Sequence, residues 1–156
     1  MLMTNQDFIG RGWRFPIKVN ARGRLEWSDG PRRIEDAIWV IIKTALGERL
    51  MRPTFGAGVD DFVFQSNSEI NRADLATAIK SALLEWEPRI DLDDVRVNSG
   101  WEVKDSRLES LDSSQAIKDR STALDSQVLV TIEYRLRTTN EVFNVVFPFY
   151  LEEGVS

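Results

Sequence analysis

The chain is predicted to be an α+β fold, with two helices packed on one face of a largely antiparallel sheet and a C-terminal hairpin. Three observations lead there. Two segments, from Ile34 to Ala45 and from Leu75 to Trp86, repeat apolar residues at helical spacing. The last quarter holds two alternating runs, QVLVTIEYRLR and VFNVVFPFYL, joined by TTNE as in a hairpin. A length of 156 residues suits one domain able to bury about 68–70% of its unfolded surface.

The elements follow in order. Residues 1–30 read as an extended arm and a hairpin, with FPIKV and LEWS as strands and Gly23 in the turn. Pro31, in WSDGPRR, suits the first turn of a helix, where its missing N–H costs nothing. Ile34, Ala37, Ile38, Ile41, Ile42 and Ala45 form the stripe of that helix, and Gly47 is placed as its terminating C′ residue. VDDFVF reads as a short strand or loop. A second helix opens at SNSE, with Ser66 and Glu69 as a capping box, runs along Leu75, Ala78, Ile79, Ala82, Leu83 and Trp86, and stops at Pro88. DVRVNSGWEV is a strand. Residues 104–127, with six serines and nine charges, read as a polar loop or insertion, although Leu108, Leu111 and Ile117 suit a short helix. In the closing hairpin Val128, Val130, Ile132, Tyr134 and Leu136 share one face, as do Phe143, Val145, Phe147 and Phe149. No repeat or second domain is visible, so 1–156 reads as a single domain.

Composition removes whole classes of chemistry. The absence of cysteine excludes disulfides, thiolate metal sites and thiol nucleophiles. The absence of histidine removes the commonest general base and metal ligand. A net charge of −5 disfavours nucleic acid as a partner. Fifteen arginines against five lysines reflect either compositional habit or carboxylate pairing at interfaces. The start, MLMTNQDFIGRGW, has no secretory pattern, so synthesis in the cytoplasm is expected. The apolar run Ala37 to Ile42 is far short of a membrane span, so no direct membrane insertion is expected.

GERLMRPTFGAG, residues 47–58, has a G-x-G beside two arginines. A phosphate cradle would need a third glycine where Asp61 stands and a helix after it, and Asp60 and Asp61 would repel the anion. The glycines therefore read as a turn of close approach. Glu48, Arg49 and Arg52 follow the first helix, where the arginines can meet its free carbonyls and pair with Glu48. WEPRI sets Glu87 and Arg89 on either side of Pro88, as a helix stop with two solvated charges or as a motif presenting both heads in fixed geometry. A glycosidase would need two carboxylates about 5–10 Å apart. Glu48, Asp60, Asp61 and Glu87 are the candidates, and nothing in the sequence sets them beside a sugar cleft. Trp13, Trp27 and Trp101 could stack on sugars, whereas Trp39 and Trp86 read as core. DLDD, residues 91–94, lacks calcium-loop spacing and reads as a solvated turn. The serine-rich stretch has no G-x-S-x-G.

IGRGWRFPI, IEDAIWVIIKTALGERLMRPTFGAGVDDFVF and EWEPRI, with the closing YRLRTTNEVFNVVFPFYL, resemble the baseplate wedge and sheath-initiator proteins of contractile phage tails and related injection systems. The resemblance covers roughly residues 8–100 and the C-terminal strands. It implies a structural protein, not an enzyme, in six copies around the tail tube of a virion tail or injection particle. Its partners would be sheath and baseplate wedge proteins, with tube or hub proteins as further candidates, and no cofactor is implied. It also implies a fold resembling the sheath-protein handshake domain. Glu87, Pro88 and Arg89 match the family's Glu-Pro-Arg motif and are implied to contact neighbours; Glu48, Arg49 and Arg52 are grouped with them. The strand carrying Val142, Phe143, Val145 and Phe147, with Pro148 tolerated best at an edge, is expected to template a partner strand; the other reading is a covered edge. The length of 104–127 departs from compact members of the family, and the ending looks least like the type VI branch. Family members also carry a lysozyme label, which leaves a muralytic enzyme as the alternative.

Overall fold

Apolar periodicity and strand alternation both act on the same surface. In the computed structural model, which describes residues 9–99 and 127–150, two helices and three strands turn their apolar sides to one core. The elements are β1 (Gly12–Trp13), β2 (Trp27–Ser28), α1 (Pro31–Lys43), α2 (Asp60–Val63), α3 (Glu69–Trp86), β3 (Ile90–Ser99), β4 (Gln127–Leu136) and β5 (Val142–Tyr150).

The predicted N-terminal hairpin is present in part: its first strand lies ahead of FPIKV, which contributes only the bridge at Val19. β1 and β2 are antiparallel, with Trp13 opposite Trp27, and Val19 bridges Leu25 further out. The Asn20 side-chain oxygen accepts from the N–H groups of Arg22 and Arg24 at 3.0 Å each, and Gly23, at φ 72°, donates to the Asn20 carbonyl.

α1 begins at Pro31 as predicted but ends sooner. Thr44 is already extended, and its hydroxyl donates to the Val40 carbonyl at 2.6 Å, satisfying a helix-end acceptor. Ala45 thus lies outside the helix, and Gly47 belongs to the following loop. VDDFVF forms the short helix α2, not a strand: Asp60 and Asp61 sit in its first turn, where the helix dipole favours negative charge. The cap of α3 is Ser68, not Ser66. Ser68 has extended backbone angles and accepts from Asn71 N–H at 3.2 Å, while the Asn71 amide donates to the Ser66 carbonyl at 2.8 Å.

The main sheet has the order β3-β4-β5, antiparallel throughout. β3 starts at Ile90, two residues after Pro88, so DLDD lies in the strand and not in a turn; a bulge interrupts the register between Leu92 and Asp94. The remainder of the predicted strand, and residues 104–126, fall outside the described residues. Val128, Val130, Ile132, Tyr134 and Leu136 are all buried on the helix-facing side of β4. α3 lies against β3. α1 reaches β5, with Trp39 edge-on to Phe147 at 5.4 Å and the Lys43 ammonium 4.5 Å over the Phe149 ring. Among the described residues no helix is long and apolar enough to cross a membrane.

The loop between α1 and α2 folds back onto the end of α1. Gly47 N–H donates to the Pro53 carbonyl at 2.7 Å. Gly56, buried at φ 123°, lies where any Cβ would collide with the Thr44 carbonyl oxygen. The G-x-G thus serves close backbone approach. Gly23→Ala, at φ 72° with open space around it, is expected to cost about 1 kcal/mol from backbone strain alone. Gly56→Ala, which adds the collision, is expected to cost clearly more, about 2–4 kcal/mol. Urea denaturation of the two variants checks the order.

Candidate interaction site

Three features carry the sequence-derived site residues. The first is the junction after α3. Glu87 N–H still donates to the Leu83 carbonyl, so Glu87 closes the helix and turns its side chain inward, only 2% exposed. Pro88 then reverses the chain into β3. Arg89 returns a planar fork onto that carboxylate, Nε to Oε1 at 2.6 Å and Nη2 to Oε2 at 2.5 Å. Its Nη1 donates to the Ile9 carbonyl at 2.8 Å, and its own carbonyl accepts from Arg137 N–H at 3.2 Å. The two charges are not separately presented, and the carboxylate is shut from water: they form one lock joining the N-terminal arm, α3, β3 and the end of β4. The contact with Ile9, eighty residues away, had no signal in the sequence.

The second feature is the loop at 47–55. Glu48 does not pair with either arginine; its Oε2 accepts from Ala45 N–H at 3.0 Å. Arg49 and Arg52 do not reach the helix carbonyls either. The Arg49 guanidinium lies 3.7 Å over the Phe55 ring, and that of Arg52 lies 5.9 Å from the Trp86 ring, with the two rings 5.2 Å apart. Aromatic faces nearby held the arginines more favourably than exposed carbonyls did.

The third is β5, at the end of the sheet. Leu136 N–H donates to the Glu141 carbonyl at 3.0 Å, and the register continues from there in alternation. Phe143, Val145, Phe147 and Phe149 therefore exchange backbone hydrogen bonds with β4. The N–H and C=O groups of Val142, Asn144, Val146 and Tyr150 point away from it, with the Pro148 carbonyl, and among the described residues no strand lies on that side. The side chains of Phe143, Val145 and Phe147 face the core, with Phe143 stacked on Tyr134 at 5.8 Å, whereas Val142 is 62% exposed.

The outer face of the sheet is a ladder of opposite charges. Arg96 bridges Asp94 and Glu133, Arg137 meets Asp91 at 2.7 Å, and Arg135 meets Asp93 at 3.6 Å. The hydrogen bond from Arg96 holds the Asp94 carboxyl below its ordinary pKa. Among the described residues no three carboxylates converge as a metal site requires.

Tyr134 sits beneath this junction, fully buried, its hydroxyl without a hydrogen-bond partner. Burial pushes its pKa well above the ordinary value, and the charges of Glu35 and Glu87 add to the shift. The unfolded chain releases this proton from about pH 10, the folded chain only well above that, so this group's contribution is complete below pH 10 and is lost as pH rises further. Tyr134→Phe is expected to be neutral or stabilising at pH 7 and to weaken the alkaline loss of stability, read from denaturation midpoints across pH. The lock gives an asymmetry. Arg89→Ala strands a buried carboxylate and is expected to cost about 3 kcal/mol. Glu87→Ala leaves an arginine that can turn to water and is expected to cost about 1–2 kcal/mol. Equal losses on chemical denaturation would contradict the described geometry.

Comparison with known proteins gives a consistent picture. Residues 28–113 match the family model described as baseplate wedge protein gp25. A structure from Geobacter sulfurreducens, provisionally called a tail lysozyme, is 35% identical, with a TM-score of 0.57 over 78% of this chain and 91% of that one. A chain from the six-fold symmetrised baseplate of the anti-feeding prophage has a TM-score of 0.54 over 95% of this chain and 94% of that one, at 18% identity. A search of curated proteins gave no match.

Proposed function

The chain belongs to the gp25 family of baseplate wedge proteins, and from that premise we propose that it is a structural part of a contractile injection system or phage tail. It links the baseplate wedge to the first sheath ring and starts the sheath by lending the outer edge of β5 to a strand of the sheath protein. Six copies surround the tube, in keeping with the symmetry of the anti-feeding prophage baseplate. The observation that carries this reading is the row of outward backbone groups on β5, from Val142 to Tyr150, on a strand otherwise firmly packed. Phe143, Val145 and Phe147 serve it by fixing the strand from the core side, and Val142 stands on the edge itself. The Glu87–Pro88–Arg89 junction holds the frame from which neighbouring wedge proteins are engaged, with the partly exposed Arg89 at its surface. Glu48 shapes the loop on which Arg49 and Arg52 face partners.

A muralytic enzyme is the second reading, favoured by the name of the 35% identical neighbour. Such an enzyme needs a carboxyl of raised pKa beside a second carboxylate. Of the candidate carboxylates, Glu87 is held by Arg89 and Glu48 by its own turn.

The readings separate in one set of experiments. Val146→Pro removes an outward N–H and leaves the β4 ladder intact. It is expected to give a folded protein that enters the baseplate while the tubes remain unsheathed in electron micrographs. Normally sheathed particles would end the augmentation reading. Purified protein is expected to leave peptidoglycan turbidity unchanged, and clearing abolished by one carboxylate substitution would establish the enzyme instead.

A further inference from the structure

The loop between α1 and α2 is tied inward along its length, yet its tip faces outward. Ala45 N–H is held by Glu48, Gly47 N–H by the Pro53 carbonyl, Arg52 N–H by Arg49 and Phe55 N–H by Arg52. Gly56 is pressed against Thr44. These restraints set the backbone before any partner arrives, and the residues they display are Leu50 and Met51, 95% and 93% exposed. Two adjacent large apolar side chains held out on an ordered loop contribute nothing to this core. They have the form of an interface anchor whose ordering cost has already been met by the fold.

The flanking residues specify what the anchor meets. Arg49 and Arg52, both exposed, set their guanidinium groups over Phe55, at 3.7 Å, and near Trp86, at 5.9 Å. Among the described residues neither forms an ion pair or a side-chain hydrogen bond, so their N–H donors are available to grip carboxylates in the bidentate manner. An apolar pair between two cationic forks is complementary to an apolar pocket with an acidic rim. Among the described residues, the apolar cavity between α2 and α3, walled by Phe62, Leu75 and Val128, carries Arg72 and no carboxylate, so a second copy does not complement the anchor there.

We infer that Leu50 and Met51 insert into an acid-rimmed apolar pocket on a different protein of the assembly, with Arg49 and Arg52 clamping its rim. The surface is separate from the β5 edge, and the inference rests on the reading of the chain as an assembly component.

The test uses assembled particles whose copy of this chain is replaced by variants. Leu50→Asp with Met51→Asp is expected to leave the purified protein's thermal midpoint unchanged, because both side chains lie in water, and to lower its amount per particle at least tenfold, about the effect of losing one hot spot. Incorporation at the wild-type level overturns the inference and leaves the family role standing; wild-type chain missing from purified particles overturns the family role instead. Independently, p-benzoylphenylalanine at position 51, photolysed in intact particles, is expected to cross-link to an apolar peptide of another protein with aspartate or glutamate within a few residues. A cross-link between two copies of this chain, or to a peptide without carboxylates, overturns it.

Discussion

The placement of almost every other segment depends on how one buried carboxylate is neutralised. Glu87 lies at the C-terminal end of α3, where the helix dipole disfavours negative charge, and it is shut away from water. Such a group persists as an ion only with a well-aligned counter-charge, and Arg89 supplies it with two parallel hydrogen bonds. The same guanidinium retains a donor for the Ile9 carbonyl, and the backbone of Arg89 receives Arg137. Three consecutive residues therefore fix where the N-terminal arm, a helix and two strands meet. A buried pair largely offsets its own desolvation, so its value to the fold lies in geometry more than in raw stability.

That junction orders what lies on either side of it. Inward, it fixes the angle at which α3 covers β3, leaving the space beside it to α1, whose Trp39 and Lys43 reach the aromatic rings of β5. Outward, the same packing leaves β5 bordered on one side only among the described residues. The edge is rigid because its alternate side chains, Phe143 to Phe149, are held by the core. An edge strand that is firmly seated yet open is suited to pairing with another chain, whereas a loose one would be a hazard. The loop at 47–55 follows the same logic: glycine at Gly56 allows the backbone to close on itself, and closure projects the tip.

The sheet's outer face shows why local patterning misjudged the acidic run DLDD. Three aspartates in four positions look like a solvated turn, yet each of their carboxylates faces an arginine brought by a neighbouring strand or by the strand itself. Cross-strand neutralisation makes strand pairing acceptable where the local sequence argues against it. The cap of α3 was misplaced for a related reason. Ser66 and Ser68 both offer an acceptor, and only the backbone angles of the folded chain select Ser68.

By itself the sequence determined the class of fold, the two long helices, the alternating faces of β4 and β5, the N-terminal turn at Gly23 and the family to which the chain belongs. Those features rest on periodicity, on glycine and proline geometry, and on motifs contiguous in the chain, all of which are local. Only the tertiary structure decided that Glu87 is buried and locked to Arg89, that the lock captures Ile9, that Arg49 lies over Phe55 with Arg52 near Trp86, and that Leu50 and Met51 project from a loop tied down behind them. Each of these depends on a contact between residues that the linear order does not bring together, or on a side chain's access to water. Burial and long-range pairing are properties of the closed surface, and they come into being only when the core forms.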